Sequence, residues 1–225
     1  MISVIIPVLN EADGIVKQLQ YLKKTAGNDV ELLVVNGGST DQTHELAIAE
    51  AARVIESPKG RAKQMNNGAK AANGEILYFL HADTIPPETW YSDIMNAVEK
   101  GFDAGCCQLS FDYNHPALKF YAWFTRFDVD MFRFGDQSLF VTRKLFRKTH
   151  GFDEKLIVME DQEFVKTLKK SGAFVILNSK VTTSARKYRK VGVYKLQLIF
   201  TVVLTMYYLG IDQQKIVDFY FARIQ

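Results

Sequence analysis

Glu31-Leu32-Leu33-Val34-Val35-Asn36-Gly37-Gly38-Ser39-Thr40-Asp41 is a short apolar run that stops in polar and glycine residues just before a helix-like segment. Leu32–Val35 is apolar without alternation, the pattern of a strand covered on both faces. Ser3–Pro7, Arg53–Glu56 and Glu75–Leu80 are likewise short, β-branched or leucine-rich, and bounded by turn residues. Helix-like segments lie between them, near Ala12–Lys24, Asp41–Ala51 and Arg61–Ala72. Strands alternating with helices predict βαβ units, hence an α/β fold with a mostly parallel central sheet flanked by helices. Ser39 is expected to cap the second helix, with Gln42 closing a capping box.

The second half has a different texture. Phe102–Phe111, Gln137–Thr142 and Phe174–Leu177 read as strands, Glu160–Ser171 as a helix, and Val191–Leu209 and Gln213–Arg223 as C-terminal helices. Pro116–Phe134 is crowded with aromatics, Phe120, Trp123 and Phe127 among them. Such residues at helical spacing are either core or the wall of an acceptor groove. The 225 residues fit one α/β domain, 1–225, with a first half (1–105) and a second half (106–225) of different roles.

Composition is globular, at 48% hydrophobic and 24% charged. A formal net charge of +3 gives no broad basic footprint, so nucleic acid is not an expected partner. The adjacent Cys106 and Cys107 offer no zinc spacing and are expected to be buried apolar residues of a reduced, cytoplasmic protein. Met1–Pro7 lacks the basic leader and length of a signal core and is expected to be a strand. Leu196–Ile211 falls short of the roughly 20 residues that span a bilayer. Lys187, Arg189, Lys190 and Lys195 just upstream make peripheral contact with the inner membrane face, through the C-terminal helices, a further expectation.

In an open parallel sheet, ligands bind outside the carboxyl ends of the strands. Three such ends carry polar or small residues: Pro7 to Glu11, Asn36 to Ser39, and His81-Ala82-Asp83. Asp83 either caps the turn before Glu88 or holds a divalent cation against a diphosphate, since Mg²⁺ and Mn²⁺ are commonly held by one or two carboxylates plus substrate phosphates. Gly60 precedes a helix whose first turn carries Arg61, Lys63 and Gln64, basic residues that an anion there would balance. Glu160 and Asp161 open a helix, where carboxylates are stabilised as anions and can accept a proton or simply cap.

Together these motifs resemble family 2 glycosyltransferases of the GT-A fold. Ser3–Glu11 is similar to that family's first strand and nucleotide loop, and Val34–Asp41 to its VVDDGSTD signature. His81-Ala82-Asp83 occupies the place of its DxD element, and Gly151-Phe152-Asp153-Glu154 with Glu160-Asp161 resembles its GGFDE…ED segment. Gly60–Asn66, Leu80–Thr84 and Gly135-Asp136-Gln137 resemble the small radical-SAM/selenodomain-associated bacterial subgroup. The resemblance implies transfer of one sugar from a nucleoside-diphosphate sugar to a hydroxyl acceptor, with inversion, by direct displacement.

It also implies roles. Pro7, Asn10, Glu11, Asn36, Gly38, Arg61, Gln64 and His81 would bind the nucleotide, and Asp83 a Mn²⁺ or Mg²⁺ ion. Asp161, with Glu160, would be catalytic; Gly135, Asp136 and Gln137 would face the donor sugar or acceptor; Arg186 would balance the diphosphate. The acceptor is unassigned, with a lipid-linked one expected from the greasy segments. Asn36 and His81 stand where the family carries aspartates. They leave open a catalytically weakened nucleotide-sugar-binding protein, while a sugar nucleotidyltransferase would place a glycine-rich, Lys/Arg-bearing loop after its first strand.

Overall fold

The computed structural model describes residues 1–26 and 29–224. Its first half alternates as the sequence predicts: β1 (Ile2–Val8), α1 (Ala12–Ala26), β2 (Val30–Asn36), α2 (Thr43–Ala49), β3 (Arg53–Glu56), α3 (Arg61–Ala71) and β4 (Ile76–Phe79). Then come β5 (Thr84–Ile85), α4 (Trp90–Glu99), β6 (Ala104–Phe111) and α5 (Pro116–Trp123). A run of 3-10 turns, ending in Gly135–Gln137, leads to β7 (Leu139–Thr142), α6 (Arg143–Lys148), α7 (Glu160–Ser171) and β8 (Phe174–Thr183). Helices α8 (Arg186–Val191), α9 (Val193–Tyr208) and α10 (Gln213–Ile224) follow.

One sheet holds all the strands in the order β3-β2-β1-β4-β7-β6-β8-β5. β3, β2, β1 and β4 pair in parallel, as do β6 and β8. The sheet is nonetheless mixed, because β7 runs antiparallel to both β4 and β6, and β5 antiparallel to β8. The reason is positional. Residues 112–138 leave β6 at its carboxyl end and re-enter the sheet from that same edge, so β7 must run back. Gly135–Gln137 thereby lies over the edge where the parallel strands end.

The apolar runs divide by side-chain parity, as the pleat requires. Ile2, Val4, Ile6 and Val8 pack with Ile15, Leu19 and Leu22 of α1 and Trp90 and Ile94 of α4. Ile5, Leu33, Val35, Leu77 and Phe79 face the other way, onto Met65 of α3 and Phe164 and Leu168 of α7. Pro7, which has no N–H to donate, pairs with Val35 of β2 at a height where the β1–β4 register has already ended at Ile5 and Phe79.

Two expectations change and one open alternative narrows. Ser39 caps no helix: α2 starts at Thr43, after Gln42, with no side-chain cap. The Ser39 hydroxyl instead accepts the Asn10 N–H at 3.0 Å, while Thr43 and Asp41 accept the N–H groups of Glu11 and Ala12. The β2–α2 loop therefore caps α1. The aromatic segment is not core throughout, since Phe120 is 60% exposed and Trp123 45%. Residues Val191–Leu209 are two helices, α8 ending at Val191 and α9 starting at Val193, broken at Gly192 with φ +96°. Cys106 and Cys107 are free and buried in β6, as expected.

Helices α9 and α10 pack on Val158 and Met159 through Ile199, Val203 and Ile216. The Gln213 side chain accepts the N–H groups of Ile157 and Val158, both at 3.0 Å, and the Tyr208 hydroxyl donates to Gln162 at 3.0 Å. The C-terminal helices thus grip the start of α7, which carries Glu160 and Asp161. Among the described residues no helix is long and apolar enough to cross a membrane.

Candidate active site

The carboxyl edge gathers two clusters, joined by His81-Ala82-Asp83 where β4 ends. The turn is held from behind by Gln18, buried on the apolar face of α1, whose amide donates to the carbonyls of His81 and Thr84 at 2.6 and 2.8 Å. Gln18 was not singled out from the sequence. A polar residue inside the Ile15-Leu19-Leu22 stripe is the signal that marks it.

On one side of that turn, Arg186 donates to both oxygens of Glu11 at 3.0 and 2.5 Å and lies 3.6 Å from Asp83. Asp83 caps no helix, since α4 starts at Trp90 with Thr89 before it. Burial raises the Asp83 pKa, as does the Asp136 charge, against the pull of His81 and Arg186. On the other side, the His81 Nδ1 lies 2.9 Å from Asp136 and its Nε2 lies 3.9 Å from Asp161. Burial and the Arg61 charge pull the His81 pKa down, but Asp136 and Asp161 outweigh them and hold it above its ordinary value. Arg61, at the start of α3, reaches Glu160 at 3.3 Å and Asp161 at 3.8 Å.

Gly135 fits here only because it has no side chain. A Cβ would overlap the Asp161 carboxylate and stand 2.6 Å from the His81 ring. The loop before β7 and the first turn of α7 therefore meet backbone to side chain, with Asp136 aimed at His81. Met159 carries a φ of +65° immediately before Glu160, an uncommon left-handed conformation for a side-chain-bearing residue.

The structure separates the expected nucleotide residues. Asn10 and Gly38 lie exposed on facing loops, where the Asn10 side chain accepts the Thr40 N–H. Asn36 is buried; its oxygen accepts the Ser39 N–H and its nitrogen donates to Glu56. Gln64 is buried, and its amide nitrogen bridges the carbonyls of Val8 and Val35 at 2.9 and 2.8 Å, tying β1 to β2. Gln137 was expected to face the donor sugar or acceptor, but both of its amide atoms are engaged inside the fold. It is fully buried, accepting the Phe134 N–H and donating to the Cys107 carbonyl. Both amides shape the site from beneath.

Comparisons with known proteins identify the family and the fold. A model of glycosyl transferase family 2 matches residues 3–157. The chain belongs to glycosyl transferase family 2. It is 31% identical over 100 residues to glucosyl-3-phosphoglycerate synthase of Mycolicibacterium smegmatis, a match covering 40% of this chain and 33% of that protein. The matched stretches take in about a third of the first curated relatives' length. Among solved structures, mannosyltransferase PcManGT from Pyrobaculum calidifontis, in complex with GDP-Man and Mn²⁺, superposes with a TM-score of 0.71 at 18% identity, over 90% of this chain and 62% of that one. Glucosyl-3-phosphoglycerate synthase from Mycobacterium tuberculosis, with Mn²⁺, UDP and product, gives 0.63 at 19% identity, over 94% and 80%. These structures share the GT-A fold with this family 2 domain.

Glu160 carries a pH signature. Burial, then the Asp161 charge, pushes its carboxyl from 4.5 up to about 7, against the Arg61 charge. A raised carboxyl pKa means that the folded chain holds the proton longer than the unfolded one, so ionisation costs stability. The unfolding free energy of wild type minus that of Glu160→Gln should fall as pH rises from about 4.5 to about 7, and then level off. Denaturant titrations across that window check it; a flat difference would show that Glu160 ionises in the fold as freely as in the unfolded chain.

Proposed function

We propose that this chain transfers one sugar from a nucleoside-diphosphate sugar to a hydroxyl acceptor, with inversion, using Asp161 as general base. One observation carries the reading: Asp83 with Arg186, a pair suited to a diphosphate and its cation, and Asp161, a carboxylate suited to act as base, lie about one short turn at the carboxyl edge of the sheet. Asp161 precedes Gln162, which Tyr208 of α9 holds, and lies beside Arg61 and His81, a setting suited to taking the acceptor proton as the hydroxyl attacks. The first half, residues 1–105, would bind the nucleotide; the second, 106–225, would bring base and acceptor. The Gly60–Asn66, Leu80–Thr84 and Gly135–Gln137 motifs support membership of the radical-SAM/selenodomain-associated subgroup.

The charge balance calls for a divalent cation. Glu11, Asp83, Asp136, Glu160 and Asp161 line the clefts, against Arg61, Arg186 and His81. A diphosphate would add further negative charge. No group of three or more potential His, Cys, Asp or Glu ligands occurs among the described residues, so a resident metal cage is not what the residues fit. They fit a hard ion that arrives with the donor, held by Asp83 and the phosphate oxygens. Such an ion, Mn²⁺ or Mg²⁺, would neutralise charge on the leaving diphosphate. The nucleotide- and Mn²⁺-bound relatives support this reading, as do Arg186 beside Asp83 and the absence of a glycine-rich basic loop after β1.

For the acceptor we propose a lipid-linked molecule, met at the inner face of the cytoplasmic membrane. Phe120, Trp123 and Phe127 form an exposed aromatic shelf, with Arg126 stacked 5.0 Å over Trp123. Tyr194 and Leu198 of α9 are 70% and 66% exposed, and Lys187, Lys190 and Lys195 are exposed nearby in sequence. Aromatic and basic side chains together suit an anionic lipid surface.

Calorimetry with nucleoside diphosphates should find binding that Mn²⁺ strengthens and that Asp83→Ala abolishes; metal-independent binding unaffected by the substitution would remove Asp83 from the site. Asp161→Asn should bind donor normally yet turn over roughly 10²–10⁴-fold more slowly, the usual worth of a general base. Equal turnover would end that assignment. Vesicles containing anionic lipid should pellet the protein, and Trp123→Ala should weaken this; protein left in the supernatant would exclude the membrane reading.

A further inference from the structure

A nucleotide-sugar donor is a linear ligand: sugar, diphosphate, ribose, base. With the sugar by Asp161 and Asp136, and the diphosphate by Asp83 and Arg186, the base must extend the other way. That direction crosses β1 to β2 and β3, each strand about 4.8 Å further along the sheet edge. The groups met on this route are mostly committed. The Asn10 oxygen holds the Thr40 N–H, Asp41 holds Thr43 and the Ala12 N–H, and the Gln64 amide holds two strand carbonyls. Asn36 is 4% exposed, with its oxygen on the Ser39 N–H.

Glu56, the last residue of β3, differs. Its side chain is 62% exposed, yet it is held in place. Asn36 Nδ2 donates to it from 3.2 and 3.1 Å, and His44 Nδ1 lies 2.9 Å from Oε1. Oε1 is thus engaged by two groups, whereas Oε2 meets Asn36 alone and keeps accepting capacity toward the edge. Glu56 is thus a fixed, solvent-facing carboxylate at the far end of the ligand's path, placed to accept a hydrogen bond from a donor there.

We infer that Glu56 reads the nucleobase of the donor, its carboxylate accepting the ring N–H that uracil and guanine carry beside a carbonyl and that cytosine and adenine lack. The inference rests on the nucleotide-sugar reading above and deepens it. Asn36 acts as a positioning residue, holding the carboxylate in register from the neighbouring strand. A site built to bond a ligand N–H discriminates strongly against analogues without it, because its own acceptor is then left unpaired. An acceptor at this position would repel the ring nitrogen lone pair that cytosine and adenine present instead.

The test is calorimetry of UDP, GDP, CDP and ADP, each with Mn²⁺, against wild type, Glu56→Ala and Glu56→Gln. Wild type should bind UDP or GDP at least tenfold more tightly than CDP and ADP, and which of the two is tighter identifies the base. Glu56→Ala should weaken that preferred ligand by about tenfold or more, weaken neither CDP nor ADP and tighten them where the repulsion is relieved, and so erase the discrimination; Glu56→Gln, which keeps an oxygen but loses the charge, should fall between. Glu56 is exposed, and thermal unfolding of each variant confirms that the fold survives. Preference for CDP or ADP, or discrimination that persists in Glu56→Ala, overturns the assignment of Glu56 while leaving the glycosyltransferase reading intact. Failure of wild type to bind any of the four overturns both.

Discussion

Like charge held in one place is the constraint on which this site depends. Five carboxylates converge on the carboxyl edge, and left to themselves they would repel one another apart. Each is instead tied to a cation from a different element: Glu11 and Asp83 to Arg186 at the start of α8, Glu160 and Asp161 to Arg61 at the start of α3, and Asp136 to His81 at the end of β4. Because those partners come from separate stretches of chain, the ion pairs also fix how the elements meet. His81 is central, touching Asp136 on one ring nitrogen and approaching Asp161 on the other. Its raised pKa is a consequence of that position.

Holding the ends of the strands still is the work of buried amides. Gln64 spans β1 and β2, Gln18 holds the His81–Thr84 turn, and Gln137 fastens the loop before β7 to β6. An amide satisfies backbone groups without adding charge to a cleft already crowded with it. The C-terminal helices extend the same logic, since Gln213 and Tyr208 bind the residues on either side of Met159. Helices α9 and α10, beyond a sheet complete at Thr183, thereby fix the backbone on which Glu160 and Asp161 sit.

Much of this was legible in the sequence where the signal is local. Uninterrupted apolar runs ending in polar residues located β1, β2 and β4, and Glu160–Ser171 appears as α7 with the bounds expected. Legibility failed where the partner lies far along the chain. Ser39 looked like a cap for α2 but serves Asn10 of the facing loop, 29 residues earlier. Gln64 and Gln137 sat inside ligand-like motifs, and only burial shows that they bind backbone. The reversed direction of β7 has no residue signature at all; it follows from residues 112–138 returning along one edge. Glu56 looked like the end of a strand, because nothing nearby in sequence announces Asn36 or His44 as its partners.

The two departures from the family pattern gain their meaning from those partners. Asn36 stands where an aspartate is usual, and Glu56 stands 3.1 Å beyond it. His81 stands at the first aspartate of the DxD place, with Asp136 2.9 Å beyond it. In both cases the carboxylate has not vanished but sits one side chain further out, on a residue that the substituted one contacts directly. An aspartate at 36 would set like charge against Glu56, and one at 81 would do the same against Asp136 and Asp161. The residue types at 36 and 81 are therefore electrostatically compatible with the carboxylates they touch. Each pair thus keeps one carboxylate at the edge of the cleft beside an amide or imidazole that can hold it, where two carboxylates in direct contact would each resist ionisation.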